Sequence, residues 1–410
     1  MNRIPVAIEI IPVGEPLPFD LTDRDGLLLA ARNYVIAETA DLHSLAEEHG
    51  GLYMDGKDAQ ALQRSYVDRM QTMLRQDRPL AEIASTRIVA ARHRNFDAPR
   101  DPGIDWLDLQ EHANVMLRDT QPERFTQRLL HIHDTLSAQL QHNPDGALFA
   151  LIYLSATETR HYSATHAMLV SVMCALAARD VLGWPPAIES ALRKAALTMN
   201  VSMTDLQDKL SVQAHAPDAA QRAAIDSHAQ RSVDALRARA VVHPLWLAAV
   251  RDHHAQKPGP LRPMTPAQRL ARLIQRADLF SARLSPRARR APITPAAAMQ
   301  ACYLDENQQP DEAGAALIKA VGIYQPGAFV QLASGEIAVV VRRGAAALAP
   351  RVAVVRNRAG QVQAEHTLRD TALPEFKVLA SVPHARVKIK LQLERMLPLT
   401  LPPPSPRFFP

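Results

Sequence analysis

YSATHAMLVSVMCALAA, residues 162–178, is the longest uncharged stretch in the chain. At 17 residues, with Ser, Thr and His inside it, it falls short of a membrane span. Leu169, Val172, Met173 and Leu176 recur at i, i+3 and i+4, which predicts a helix. Cys174 lies on that apolar stripe and reads as a core residue.

The helical pattern continues from Ala147 to about Gly322. Pro185-Pro186, Pro258-Gly259-Pro260 and Pro286 mark breaks between helices. Upstream, the apolar spacing is helical from Trp106 to Leu140, and Asn143-Pro144-Asp145-Gly146 punctuates it. Downstream, residues 326–395 switch to period two: Ala328–Leu332 and Ile337–Val341 read as a hairpin, Arg351–Val355 as another strand. Residues 3–60 read as a small β-rich unit, with Asp25-Gly26 as a hairpin signal ahead of Leu27–Leu29. Helical patterning comes next, near Ala40–Glu48 and from Asp58 to about Arg94, and Asn95–Gly103 is a turn-rich linker. Leu401–Pro410, LPPPSPRFFP, reads as a disordered Pro-rich tail.

Composition narrows the function classes. The chain has 410 residues, enough for two or three domains, and 47% of them are hydrophobic, so a sizeable core is expected. Two cysteines exclude a disulfide scaffold and a four-cysteine zinc site, and fit a reducing cytoplasm. The start carries no apolar run long enough for a secretory signal, so a cytoplasmic protein without membrane partner is expected. A net charge of +5 permits anionic ligands without demanding nucleic acid, which is not expected as a partner. Sixteen histidines remain to be explained, and seven of them fall between His161 and His254. Imidazole and carboxylate are the usual ligands of first-row metals, and a helical bundle can point them inward from several helices.

The order and spacing of these residues resemble the HD-GYP family, a helical branch of the HD metal-dependent phosphohydrolases. Tyr162–His166 is similar to the family's aromatic-Thr-x-x-His stretch, with Ser163 at the Thr position. Thr198–Met203 stands at the family's Leu-His-Asp-Ile-Gly-Lys. His228 comes 28 residues after Asn200, the family's spacing from that Asp to its next His. His253-His254 matches the tandem His-His, and Ala277–Arg290 matches the Ala-Asp-Val-Phe-Asp-Ala-Leu-Thr-Ser-Asp-Arg-Pro-Tyr-Arg stretch without a gap. The resemblance covers residues 140–342.

It implies a mainly α fold: an HD-type helical bundle (101–325), preceded by a small β-rich domain plus helix (1–100). A small β extension (326–398) and a tail (399–410) complete the chain. It implies His166, His228, His253, His254 and Asp278 as metal ligands, and Arg287 and Arg290 near the phosphates of cyclic di-GMP. A guanidinium offers such a phosphate bidentate hydrogen bonds. The arginine run from Arg262 to Arg290, eight arginines with Asp278 as the one acid, reads as a solvated helical face or as a surface for an anion or an acidic partner. His161, His215 and His243 have no matching role and read as structural.

The His-Asp pair of active members is Met199-Asn200 here, the Lys position is Met203, and the Gly-Tyr-Pro segment is reduced to Lys257-Pro258-Gly259-Pro260. A thioether is a poor ligand for hard metals. Asn cannot bridge two divalent cations as a carboxylate does. The expectation is a degenerate HD-GYP protein of bacterial cyclic-di-GMP signalling, without catalytic residues, acting through nucleotide or protein binding. It would hold one divalent metal (Fe, Mn or Zn) or none. The alternatives are an active metal-dependent phosphodiesterase using the remaining ligands, and a structural adaptor for a signalling protein.

Overall fold

The structure, a computed structural model, describes residues 3–6, 8, 11, 13, 17, 19–31, 34, 36, 39–55, 104–285, 293–363 and 365–402. The chain divides into two units, residues 1–103 and 104–410. The expected helix over 58–94, the linker 95–103, Pro286, and the tail from residue 403 lie outside the described residues.

The first unit is a four-stranded sheet with one helix. Its strands are β1 (Arg3–Pro5), β2 (Leu21–Thr22), β3 (Leu28–Ala30) and β4 (Tyr53–Asp55), in the order β1-β4-β2-β3, with α1 at Thr39–Glu48. The Asp25-Gly26 signal is the β2–β3 turn. There the Asp23 carboxylate accepts from the amides of Asp25, Gly26 and Leu27, and Gly26 takes a φ of 97°. Leu17, Phe19, Leu21, Leu42 and Met54 form its core.

The second unit is mainly helical. Its helices are α2 (Trp106–Arg118), α3 (Pro122–His142), α4 (Pro144–Thr157), α5 (Tyr162–Leu176) and α6 (Pro186–Thr198). After a 3-10 turn at Val201–Met203 come α7 (Thr204–Val212), α8 (Ala219–Ala238), α9 (Pro244–Asp252), α10 (Pro266–Leu284), α11 (Pro295–Tyr303) and α12 (Glu312–Val321). Proline explains the punctuation: Pro122, Pro144, Pro186, Pro244, Pro266 and Pro295 each open a helix. A missing N–H costs nothing at that position. One expected helix is in fact two. The 106–140 pattern breaks at Asp119, whose carboxylate accepts the Gln121 amide just before Pro122.

Residues 162–178 run through the centre of the bundle. Every residue of α5 is buried, as a helix apolar on all sides requires. A π-helical turn carries it on to Val181, so Tyr162–Val181 is long and apolar enough to cross a membrane by length alone. Yet 83% of its apolar window is buried inside the protein, which makes it a core helix.

The period-two region forms β5 (Phe329–Leu332), β6 (Ile337–Arg342), β7 (Arg351–Arg356), β8 (Leu368–Asp370) and β9 (Val378–Val382). The antiparallel order is β8-β7-β6-β5-β9, with Phe329 opposite Val339 in the expected hairpin. Alternation gives the sheet two buried faces. Phe329, Val339, Val341, Ala353 and Val355 pack with Phe149 and Tyr153 of α4. Val330, Leu332, Ala338, Val340 and Val352 form a second cluster with Val378. Period two does not persist to residue 395: α13 (His384–Val387) and α14 (Leu393–Thr400) are helices, and Met396 of α14 packs into the first cluster.

Candidate functional site

Four helices of the second unit supply the site. His166 lies in the first turns of α5, His228 in the middle of α8, His253 and His254 just past the end of α9, and Asp278 on α10. All five residues expected as ligands are described, and the fold gathers them into two groups.

The first group is His228, His253 and His254, whose ring nitrogens lie within 4.8 Å of one another. His228 and His253 are buried and His254 is exposed. The Nδ1–H of His228 donates to the Ile225 carbonyl, and that of His253 to the Val250 carbonyl at 2.6 Å. Both partners lie three residues back in the preceding helical turn. These bonds fix the tautomer and leave a bare lone pair on each Nε2. The two Nε2 atoms then face each other at 3.1 Å. Two lone pairs repel at that separation, so the contact is favourable only around a cation or a shared proton. Nitrogens bound to one tetrahedral ion at about 2.1 Å sit roughly 3.4 Å apart, close to what is found. The donor set therefore fits a single divalent metal. Burial pushes the His253 imidazole down to about 3, with His254 adding to the shift. Burial also lowers His228.

The second group is His166 and Asp278, and here the donors satisfy each other. His166 Nε2 donates to Asp278 Oδ1 at 2.8 Å, and its Nδ1 meets the Ser281 hydroxyl at 2.9 Å. Burial would raise Asp278. The His166 hydrogen bond and the nearby His253 and His254 outweigh it, holding the carboxyl down to about 2. Asp278 is thus an ionised partner of His166.

Between these groups and the bundle core, the His-Asp positions are filled by other chemistry. Met199, 1% exposed, packs into the main core cluster at the end of α6. Met199 and Asn200 line, with His166, Ser163 and Gln207, a cavity of about 10 Å³. That is room for about one water, with Ser163 Oγ and Gln207 Oε1 to bind it. Met203 is also buried. Ser202 clips this turn to α8: its hydroxyl donates to the His228 carbonyl at 2.9 Å, and its amide donates to Ser232 Oγ at 3.2 Å.

The arginine run needs correction. Arg272 and Arg276 are neither solvated nor open to an anion. Both are buried: Arg272 binds Asp311 and Glu306, and Arg276 binds Glu306 at 2.7 Å. Arg269 bonds the carbonyls of Leu261, Arg262 and Met264. Their period on α10 places them on the side facing the 304–312 loop, and sequence alone cannot show that two acids wait there. Arg287 and Arg290 lie outside the described residues. The three histidines without a role have structural partners: His161 pairs with Glu111 at 2.8 Å, His215 with Gln213, and His243 caps α9 at the Trp246 amide.

No known family model and no curated protein matches the sequence. Among solved structures, an HDG"Y"P protein from Bdellovibrio bacteriovorus is similar. The TM-score is 0.42 and the identity 11%, over 78% of this chain and 99% of that one.

Proposed function

We propose that this chain is a degenerate HD-GYP protein of bacterial cyclic-di-GMP signalling that acts by binding, to the nucleotide or to a protein, rather than by hydrolysis. One observation carries the reading. The positions of the His-Asp pair hold Met199 and Asn200, beside a cavity of about 10 Å³. The pair's Asp would bridge two metals and fix the attacking hydroxide between them; a carboxamide carries no charge to do so. A thioether buried in an apolar cluster does not replace the missing imidazole.

The retained histidines support a role for one divalent ion. His228, His253 and His254 would hold it, and the ion would supply a Lewis-acidic position on the His254 side, where the site reaches solvent. His166 and Asp278 would stay paired with each other.

Purified protein supplied with Mn2+ or Fe2+ is expected to leave cyclic di-GMP intact. Steady linearisation, lost in His228→Ala, would overturn the proposal and restore the phosphodiesterase reading.

A further inference from the structure

Between the start of α13 and the start of α14, the sequence Arg386-Val387-Lys388-Ile389-Lys390-Leu391 alternates cations with aliphatic side chains. Burial follows the same alternation. Arg386, Lys388 and Lys390 are exposed, Val387 and Leu391 are buried, and Ile389 is partly buried. Val387, Ile389 and Leu391 pack into the cluster that the sheet shares with α4. The anchored residues hold the three cations outward in one row, as on one face of a strand.

The charge of this row is uncompensated. From Lys377 to Arg395 there are five lysines and arginines and one acid, Glu394. Carboxylates of the neighbouring sheet are committed elsewhere: Glu336 pairs with Arg369 at 3.0 Å, and Asp370 with Arg351 at 2.9 Å. Among the described residues, no carboxylate pairs with Arg386, Lys388 or Lys390. Arg356 of β7 adds a fourth positive charge, since its guanidinium donates to the Val387 carbonyl at 3.1 Å. Like charges held side by side repel one another, so an anionic partner gains by meeting them together.

The kind of anion follows from what accompanies the charges. Residues 385–395 contain no aromatic side chain on which a base could stack. The aliphatic side chains between the cations are turned inward, so none is free to enter a lipid surface. Ile389 and Lys390 belong to no strand, and their backbone groups make no backbone hydrogen bond among the described residues. An extended peptide laid alongside would meet those backbone groups and, with an acid at every second residue, the cations as well.

We infer that residues 386–390 are a docking strip for an extended acidic segment of a partner protein, with alternate carboxylates facing Arg386, Lys388 and Lys390. The strip lies outside the four helices that carry the histidines, so its test does not depend on whether those histidines hold a metal.

A fluorescein-labelled peptide of alternating Glu and Thr is titrated with the full chain by fluorescence anisotropy, at low salt where screening is weak. Arg386→Glu/Lys388→Glu/Lys390→Glu is expected to weaken binding at least tenfold. The same change of charge at exposed positions of α7 and α8, Lys209→Glu/Arg222→Glu/Arg237→Glu, is expected to weaken it less than about threefold. Circular dichroism checks that the variants fold. The neutral variant Arg386→Gln/Lys388→Gln/Lys390→Gln removes the charge without adding repulsion and is expected to lose binding as well. A peptide of the same composition with its acids in one block is expected to bind more weakly than the alternating one. No binding by the wild type, or equal loss in the two Glu variants, would overturn the inference. Equal binding of the two peptides would overturn the alternating register. Oligothymidylate or phosphatidylserine vesicles bound more tightly than the peptide would overturn the protein assignment in favour of a nucleic acid or a membrane.

Discussion

At the scale of single residues, the site is decided by which ring nitrogen carries the proton. His228 and His253 each give Nδ1–H to a carbonyl one turn back, so both Nε2 atoms are ready for a ligand. His166 is committed the other way, to Asp278 and Ser281. The metal-free protein, titrated with Zn2+ or Mn2+ and analysed for bound metal, is expected to take one ion per chain. His228→Ala or His253→Ala should abolish uptake, whereas His166→Ala should leave one ion bound. Two ions in the wild type would show that His166 and Asp278 part to form a second site. As candidates, the five residues were legible in the sequence through the family motifs that they resemble. Their division into two groups was not, because it depends on the hydrogen bonds of side chains 112 residues apart.

At the scale of elements, two packed junctions carry charge or a titratable ring. On α10, Arg272 is clamped between Asp311 and Glu306, and Asp311 also accepts the Gly314 amide as the cap of α12. Asp311→Ala leaves a buried guanidinium partly unpaired and removes the cap. A loss of about 3–5 kcal/mol is expected in denaturant unfolding, against less than about 1 kcal/mol for a surface carboxylate such as Asp234. At the other junction, His384 of α13 donates Nε2–H to the Gly327 carbonyl at 2.9 Å and sets its ring edge against Phe329. Burial pushes this imidazole down to about 4. A depressed histidine favours the fold only while neutral. Its contribution is therefore full above the unfolded value near 6.5 and drains away as pH falls towards 4. Up to about 3 kcal/mol should be lost across that window, and the pH dependence of stability should be shallower by this amount in His384→Gln. Equal slopes in both proteins would show that His384 is protonated freely in the fold. The sequence marked the helices and most strands around these junctions, since period and proline are local signals. It missed the break before Pro122 and the helix at Leu393–Thr400, where a capping contact and packing against the sheet override the local pattern.

At the scale of the whole molecule, the C-terminal sheet and the helical bundle share one interior. Phe149 is fully buried and Tyr153 nearly so, although both belong to a helix of the bundle. Their cover comes from Phe329, Val339 and Val355 of the sheet and from Met396 of α14. The Tyr153 hydroxyl accepts the Leu391 amide at 2.8 Å, and Asn143 holds Thr400. Gly327, at a φ of 88°, lets the chain enter β5 against α4, where a Cβ would come within 2.8 Å of the Phe149 carbonyl. A chain ended at residue 325 would expose both rings, at about 2–3 kcal/mol each, and leave Asp145 without Arg343. Such a truncation is expected to be insoluble or to unfold without a cooperative transition. The first unit has a core of its own, built from Leu17, Phe19, Leu21, Leu42 and Met54. Residues 104–402 expressed alone should therefore keep a cooperative thermal transition and the helical circular dichroism of the second unit. If the 1–325 chain unfolded as cooperatively and as late as 104–402, the shared interior would contribute nothing, and the sheet would be an independent appendage of the bundle.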